Sequence, residues 1–442
     1  MTTLSRKETF FVGLMLFALF FGAGNLIFPP FLGQQSGAHF WYAIAGFIIT
    51  GVGLPILTVL AVAKAKNGIQ TIGNRVHPVF GVVFTVIVYL AIGPFMGIPR
   101  GANVAYEMSV KPFVSEGSNT MALLIFTVIF FGLVYWVSLN PSKLVDRIGS
   151  LLTPALLIAI AVLGVGSLLK LKQPLGAVSN KYQSHPVIHG FMEGYLTMDT
   201  IAALAFGIVV ITAIRQKGVT NQRAIVKGTL QSGLIAGVGL ILVYVTIGVM
   251  GAKAGATHTY KDGAAILTTT ADQLFSVWGV LLLGVIVLLA CFTTCVGLVV
   301  ACSQYFGKLL PMASHMMLVT VMTVISFLIA NLGLADILSL SVPVLSMIYP
   351  LTIVLVILSF FHGLFKESAR GIYSGALIGT ILVSVYDGLV QYGVKSEFLT
   401  DLYGHLPLFA EGLGWLIPAI IGGLCGFLVS LLSKRADQSV HA

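Results

Sequence analysis

Along the chain, apolar residues come in blocks of about twenty, and the charged residues fall in the short connectors between them. A helix of that length spans a hydrocarbon core about 30 Å thick. The pattern predicts twelve such helices, near 10 to 34, 40 to 63, 79 to 109, 120 to 139, 148 to 169 and 191 to 214, then 225 to 252, 276 to 303, 315 to 332, 337 to 361, 371 to 392 and 412 to 432. The predicted class is an all-α polytopic membrane protein.

Two blocks carry irregular features. The first holds GAGNLIFPP at residues 22 to 30, at mid-membrane depth. Two glycines weaken a helix and two prolines remove its donors. Unwound backbone there is costly unless it lines a polar cavity, and free N–H groups at the start of a half-helix suit a carboxylate. A kink that only shapes packing is the alternative. In the sixth block, EGYLTMDTIAALAFG sets Asp199 about 12 Å from the outer end, close to mid-depth. An ionisable group there points to function, against the plainer reading of a carboxylate satisfied by neighbouring backbone groups.

These two blocks open two sets of five helices. An odd number per set forces opposite orientations, the inverted-repeat arrangement in which substrate and ions bind between the two opening helices. The expected division is residues 1–170 for helices 1 to 5 and 171–370 for helices 6 to 10 with an outer loop before them. Residues 371–442 then hold helices 11 and 12 and the tail, outside the repeat.

Composition agrees with the pattern. Only 9% of the 442 residues are charged and 57% are hydrophobic, against about 25% charged in soluble proteins, so lipid has to be the main solvent. The net charge of +9 sits in connectors and reads as topology, with no nucleic-acid partner implied. With the N-terminus cytoplasmic, sixteen of the 24 Lys and Arg lie on the inner side and seven on the outer, with Arg100 inside a span. That bias puts both termini in the cytoplasm of a multi-pass protein. The outer loop with Lys170, Lys172 and Lys181 runs against it. Arg6 and Lys7 precede the first block, but no A-x-A-like site follows, so it reads as a retained span.

Other chemistries find little material. Cys291, Cys295, Cys302 and Cys425 lie in apolar blocks and read as small packing residues. All nine histidines fall in connectors, at span edges or in the tail, which removes the usual ligands of an intramembrane metal. There is no G-x-x-x-x-G-K-[ST] and no soluble region to bind a nucleotide. An intramembrane enzyme would need a nucleophile and base together, and a channel a continuous polar pore. The chain reads as neither.

Four segments carry a family likeness: FGAGNLIFPP, GPFMGIPRGANVAYE, GYLTMDTIAALAFG and CFTTCVG resemble those of the bacterial branched-chain amino acid:cation symporters. The likeness runs nearly the whole chain. That family belongs to the amino acid, polyamine and organocation superfamily, so the resemblance implies the LeuT-type five-plus-five inverted repeat with discontinuous helices 1 and 6. It also implies a plasma-membrane importer of leucine, isoleucine and valine with a cation, needing no other cofactor. On the same resemblance, Gly22, Ala23, Gly24 and Asn25 look like the stretch whose amides hold the substrate carboxylate. Phe20 and Asp199 would accept from its ammonium group, with Ala202, Ala203 and Gly93 beside its side chain. Thr293 and Thr294, with carbonyls of Ala18 and Phe21, resemble a sodium site, and hard cations want oxygen ligands. Adjacent threonines bonding back to their own helix are the alternative. Some proton-coupled relatives carry a lysine on the fifth helix; none stands between Leu151 and Leu169 here, which favours sodium. A proton carried on Asp199, in a carrier of other small neutral amino acids, is the second reading.

Arg100 stands about 31 Å along the third span from Val79, which predicts a place at the outer interface. There it would be part of an extracellular gate with Glu107 seven residues on, or simply snorkel to headgroups. Asp336 and Asp387 fall near outer ends and need no special role.

Overall fold

The computed structural model describes residues 3–65, 68–140, 153–365 and 368–440. Residues 148–152 of the expected fifth span, and Lys66, Lys143, Arg147, Lys366 and His441, lie outside the described residues. Those described form helices joined by turns, with no strand among them. Eight stretches are long and apolar enough to cross a membrane, and Leu156–Ser167, His315–Ala330 and Leu416–Leu432 are shorter apolar helices. This is the build of a multi-pass membrane protein. On α8 (Asn119–Ser138), Met121, Ile125, Val128, Ile129 and Trp136 are exposed. Their spacing forms the apolar stripe that lipid covers.

Helix α1 (Arg6–Phe20) starts in a capping box: the Ser5 hydroxyl accepts the Glu8 N–H at 3.2 Å, and the Glu8 carboxylate accepts the Ser5 N–H at 2.8 Å. The chain then breaks at Phe21 and Gly22 before α2 (Ala23–Ser36). The interruption is therefore narrower than GAGNLIFPP. Pro29 and Pro30 lie inside α2, where a neighbouring helix, α13 (Gln222–Ala254), supports the weakened backbone. A Cβ on Gly251 of α13 would collide with the Pro30 carbonyl, and one on Gly248 would stand 3.4 Å from the Pro29 carbonyl oxygen.

The second block is α3 (Phe40–Ile48), a π-helical turn Ile49–Gly53 and α4 (Leu54–Lys64). After the short α5 (Ile69–Asn74), the third block is also interrupted. Helix α6 (Pro78–Leu90) runs into a π-helical turn Ala91–Phe95, where Gly93 adopts φ −87°, ψ −120°, and α7 (Gly97–Ser109) starts anew beyond Met96.

Helix α9 (Thr153–Lys170) and the single turn α10 (Asn180–Gln183) precede the sixth block. That block divides into α11 (Pro186–Tyr195) and α12 (Asp199–Gln216), with residues 196–198 between them. The cap is Met198 at φ 70°, a left-handed conformation uncommon outside glycine and often found where a site holds strain. Then follow α13, capped by the Asn221 side chain, α14 (Gly263–Phe275), capped by Asp262, and α15 (Val277–Leu309). The last are α16 (His315–Ala330), α17 (Leu334–Phe365), α18 (Ala369–Gln391), α19 (Glu397–Gly404) and α20 (Leu416–Val440).

Packing divides these helices into two compact units, Met1–Leu60 with Tyr89–Leu338, and Ala61–Val88 with Ser339–Ala442. In the first, α2 lies against α13, α7 against α15, and α11 against α3. In the second, α18 and α20 approach so closely that a Cβ on Gly375 would meet the Gly422 carbonyl, and one on Gly426 the Gly371 carbonyl. Small residues at such a seam let two backbones touch, the usual basis of tight helix pairs in lipid.

Candidate functional site

The breaks of the first and sixth blocks meet through one side chain. Asn25, 1% exposed, sits in the first turn of α2. Its Oδ1 accepts the Gly22 N–H at 3.1 Å, closing the break from within. Its amide nitrogen donates to Asp199 Oδ2 at 2.5 Å and to the Tyr244 hydroxyl. Tyr244, on α13, donates in turn to Asp199 Oδ2 at 3.3 Å. Both donors of the carboxamide are thus used, and one buried knot joins α2, α12 and α13. Asp199, 3% exposed, occupies the first turn of α12, where the helix dipole favours negative charge. Thr197 shapes the approach to it: its hydroxyl donates to the Gly194 carbonyl at 2.8 Å and accepts the Asp199 N–H at 3.4 Å.

This knot borders a cavity of about 40 Å³. Asn25, Arg100, Thr197, Asp199 and Thr294 form its polar wall, and Phe20, Ile92, Ala202, Phe206 and Leu298 supply apolar surface. Phe20 and Phe206 meet edge to face with centroids 5.8 Å apart. The space suits a few waters. The amides of Ala23, Gly24 and Asn25 have no protein acceptor among the described residues, as expected for the first turn of a helix.

Beside the break, oxygens gather around one hydroxyl. Thr294 Oγ1, on α15, lies 3.3 Å from the Ala18 carbonyl, 3.2 Å from that of Leu19 and 3.4 Å from that of Phe21. Thr293 Oγ1 lies 3.4 Å from the Ala18 carbonyl and 3.0 Å from Ala290 O of its own helix. So Thr293 bonds back to its own helix as well, whereas Thr294 reaches only across to α1. A hydroxyl has one proton and serves one carbonyl at a time. The other carbonyls around it are left without that proton, and oxygens of this kind are what a hard cation takes as ligands. Gly22 packs directly against Thr294: a Cβ there would stand 3.0 Å from Thr294 Oγ1, so the threonine would have to shift to admit one.

The residues singled out from the sequence are therefore partly gathered. Phe20, Gly22, Ala23, Gly24, Asn25, Asp199, Ala202 and Thr294 line the cavity, with Ala18, Phe21 and Thr293 beside it. Ala203 is fully buried off the lining, and Gly93 faces α15, where a Cβ would come within 2.6 Å of Cys302 Sγ. Glu107 pairs with Lys111 at 2.6 Å.

Arg100 corrects the expectation most. It does not snorkel: it is 2% exposed and lines the cavity. A distance counted along a straight helix fails here because the third block is broken between Gly93 and Met96. The Arg100 Nη1 donates to the Leu196 carbonyl at 2.7 Å, and the guanidinium lies 4.8 Å over the Phe28 ring. Tyr244 and Thr197 escaped the sequence reading altogether. Tyr244 stands in a long apolar block, where its hydroxyl gives no local signal. Thr197, within the GYLTMDTIAALAFG segment, was readable from its place two residues before Asp199.

A family model described as branched-chain amino acid transport protein matches residues 5–433. The chain is 44% identical over 438 residues to the branched-chain amino acid permease BraB of Bacillus subtilis (strain 168), covering 99% of this chain and 98% of that one. It is 45% identical over 445 residues to the branched-chain amino acid transport system 2 carrier protein of Pseudomonas aeruginosa (strain PAO1), covering 100% of both. Among solved structures it is similar to MHP1, a nucleobase-cation-symport-1 family transporter in a closed conformation with bromovinylhydantoin bound. That likeness has a TM-score of 0.61 at 13% identity over 97% of this chain and 93% of the other, and it shows the fold alone.

Proposed function

From the premise that the chain belongs to the branched-chain amino acid transport protein family, a family of carriers and not of enzymes, we propose that it is a secondary active symporter. It carries leucine, isoleucine or valine into a bacterial cell together with sodium. The proposal includes twelve crossings, both termini in the cytoplasm, and two inverted sets of five helices at 1–170 and 171–370, with the last two helices outside them.

The observation that carries this reading is the meeting of the two broken helices at Asn25 and Asp199, directly beside the Thr294 oxygen cluster. A substrate ammonium group takes acceptors from Asp199 and the carbonyl of Phe20. Its carboxylate takes the open amides of Ala23, Gly24 and Asn25, and the branched side chain meets Phe20, Ala202 and Phe206. Sodium held between Thr294, Thr293 and the carbonyls of Ala18 and Phe21 fixes the end of α1. That tightens the start of α2 and raises affinity for the amino acid, and the coupling is reciprocal. Alternating access follows when the helix pairs on either side of the breaks rock about this point.

Proteoliposomes loaded under an imposed sodium or proton gradient test the reading. Sodium-driven accumulation of labelled leucine, with counterflow by unlabelled isoleucine and valine, is the expected result. Accumulation under a proton gradient alone would transfer the coupling to Asp199, and no counterflow would remove the assignment.

A further inference from the structure

Arg100 is the charged group of the cavity that the transport reading leaves without a task. Its Nη1 is engaged with the Leu196 carbonyl, but Nε and Nη2 are buried without a partner among the described residues. A buried guanidinium with open N–H groups is costly unless an anion completes it. Asp199 lines the same cavity, yet its Oδ2 is taken by Asn25 and Tyr244, and no hydrogen bond joins it to Arg100. The open side of Arg100 instead lies over the first turn of α2. A Cβ on Gly24 would come within 2.5 Å of Nη2 and 2.9 Å of the Thr197 Cα, so glycine there is what lets the guanidinium lie against the start of α2.

We infer that Arg100 recognises the carboxylate of the substrate, with the open amides of α2 completing the grip, and so restricts the site to α-amino acids over the corresponding amines. The inference rests on the cavity being an amino-acid site. A guanidinium presents its donors as a planar fork that matches a carboxylate at two points. The Phe28 ring beneath it holds that plane in place. Asp199, in the wall of the same cavity, supplies the opposite charge, so the site is complementary to a zwitterion.

The test uses the full-length protein in lipid nanodiscs. Thermal shift gives the Kd for leucine and for 3-methylbutylamine, which is leucine without its carboxylate. In Arg100→Gln the leucine Kd is expected to rise on the order of a hundredfold, while the Kd of the amine stays within about threefold of wild type, so the ratio between the two collapses. Equal losses for both ligands, or unchanged leucine binding, overturn the assignment of Arg100. Should Arg100→Gln not fold, Arg100→Lys retains the charge without the fork, and the ratio should fall on the order of tenfold. An unchanged ratio there overturns the assignment equally. A wild-type protein that ignores leucine overturns the transport reading itself, whatever the variants do.

Discussion

Glycine is used in two ways in this protein, at the break between α1 and α2 and along the seam between α18 and α20. At the break, Gly22 and Gly24 make room for polar side chains: Thr294 beside one, Arg100 beside the other. At the seam, Gly375, Gly422 and Gly426 make room for the carbonyls of Gly422, Gly375 and Gly371. The same residue type, among 49 in the chain, thus gives side-chain chemistry access to a backbone in one region and gives backbones access to each other in the second. Whether a membrane glycine bears on function depends on what fills the space its missing Cβ leaves.

The sharpest way to break this comparison is to remove the charge at the broken helices. Asp199→Asn should reduce sodium-driven leucine uptake in proteoliposomes at least a hundredfold, since a neutral amide cannot hold a substrate ammonium group as a carboxylate does. Uptake at the wild-type rate would leave the knot a purely structural device. Asn25→Ala comes next, because it strips Asp199 and Tyr244 of a shared donor and leaves buried polar groups unpaired. A loss of about 2 to 3 kcal/mol in unfolding stability is expected, together with a raised KM for leucine, read by thermal melting and uptake in parallel. Thr294→Ala should raise the sodium concentration for half-maximal uptake about tenfold, the loss of one oxygen ligand, while the maximal rate at saturating sodium changes little. An unchanged sodium dependence would return Thr294 to helix packing. Gly375→Leu probes the other region. Overpacking at the seam should cost about 1 to 3 kcal/mol of stability and leave the KM for leucine unaltered. A shift in KM without a loss of stability would erase the distinction between the two uses of glycine.

Much of this was legible beforehand, and what was missed has a common cause. The break after Phe21 announces itself because glycine and the nearby prolines disfavour helix locally, and Asp199 because a carboxylate in an apolar block is conspicuous. The prolines at 29 and 30 misled about the length of the break, since their missing donors are tolerated where α13 packs against them. Arg100 was read as facing outward because the interruption at Gly93 to Met96 has a weaker local signature than GAGN, and a straight ruler was laid across it. The reading of Thr294 stayed open between its own helix and α1 until its hydroxyl was seen facing carbonyls more than 270 positions earlier in the chain.

The sequence by itself determined the membrane-spanning class, the blocks that become helix, and the two places where an apolar block carries polar chemistry. These follow from hydration and backbone propensity, which each residue expresses with its near neighbours. Only the tertiary structure decided that Asn25 would bind Asp199, 174 positions away, and Tyr244, 219 positions away, and that Arg100 would turn inward to the same cavity. Those choices depend on which helices return to one another, because a buried polar group is satisfied only by the partner that the fold brings within hydrogen-bond reach.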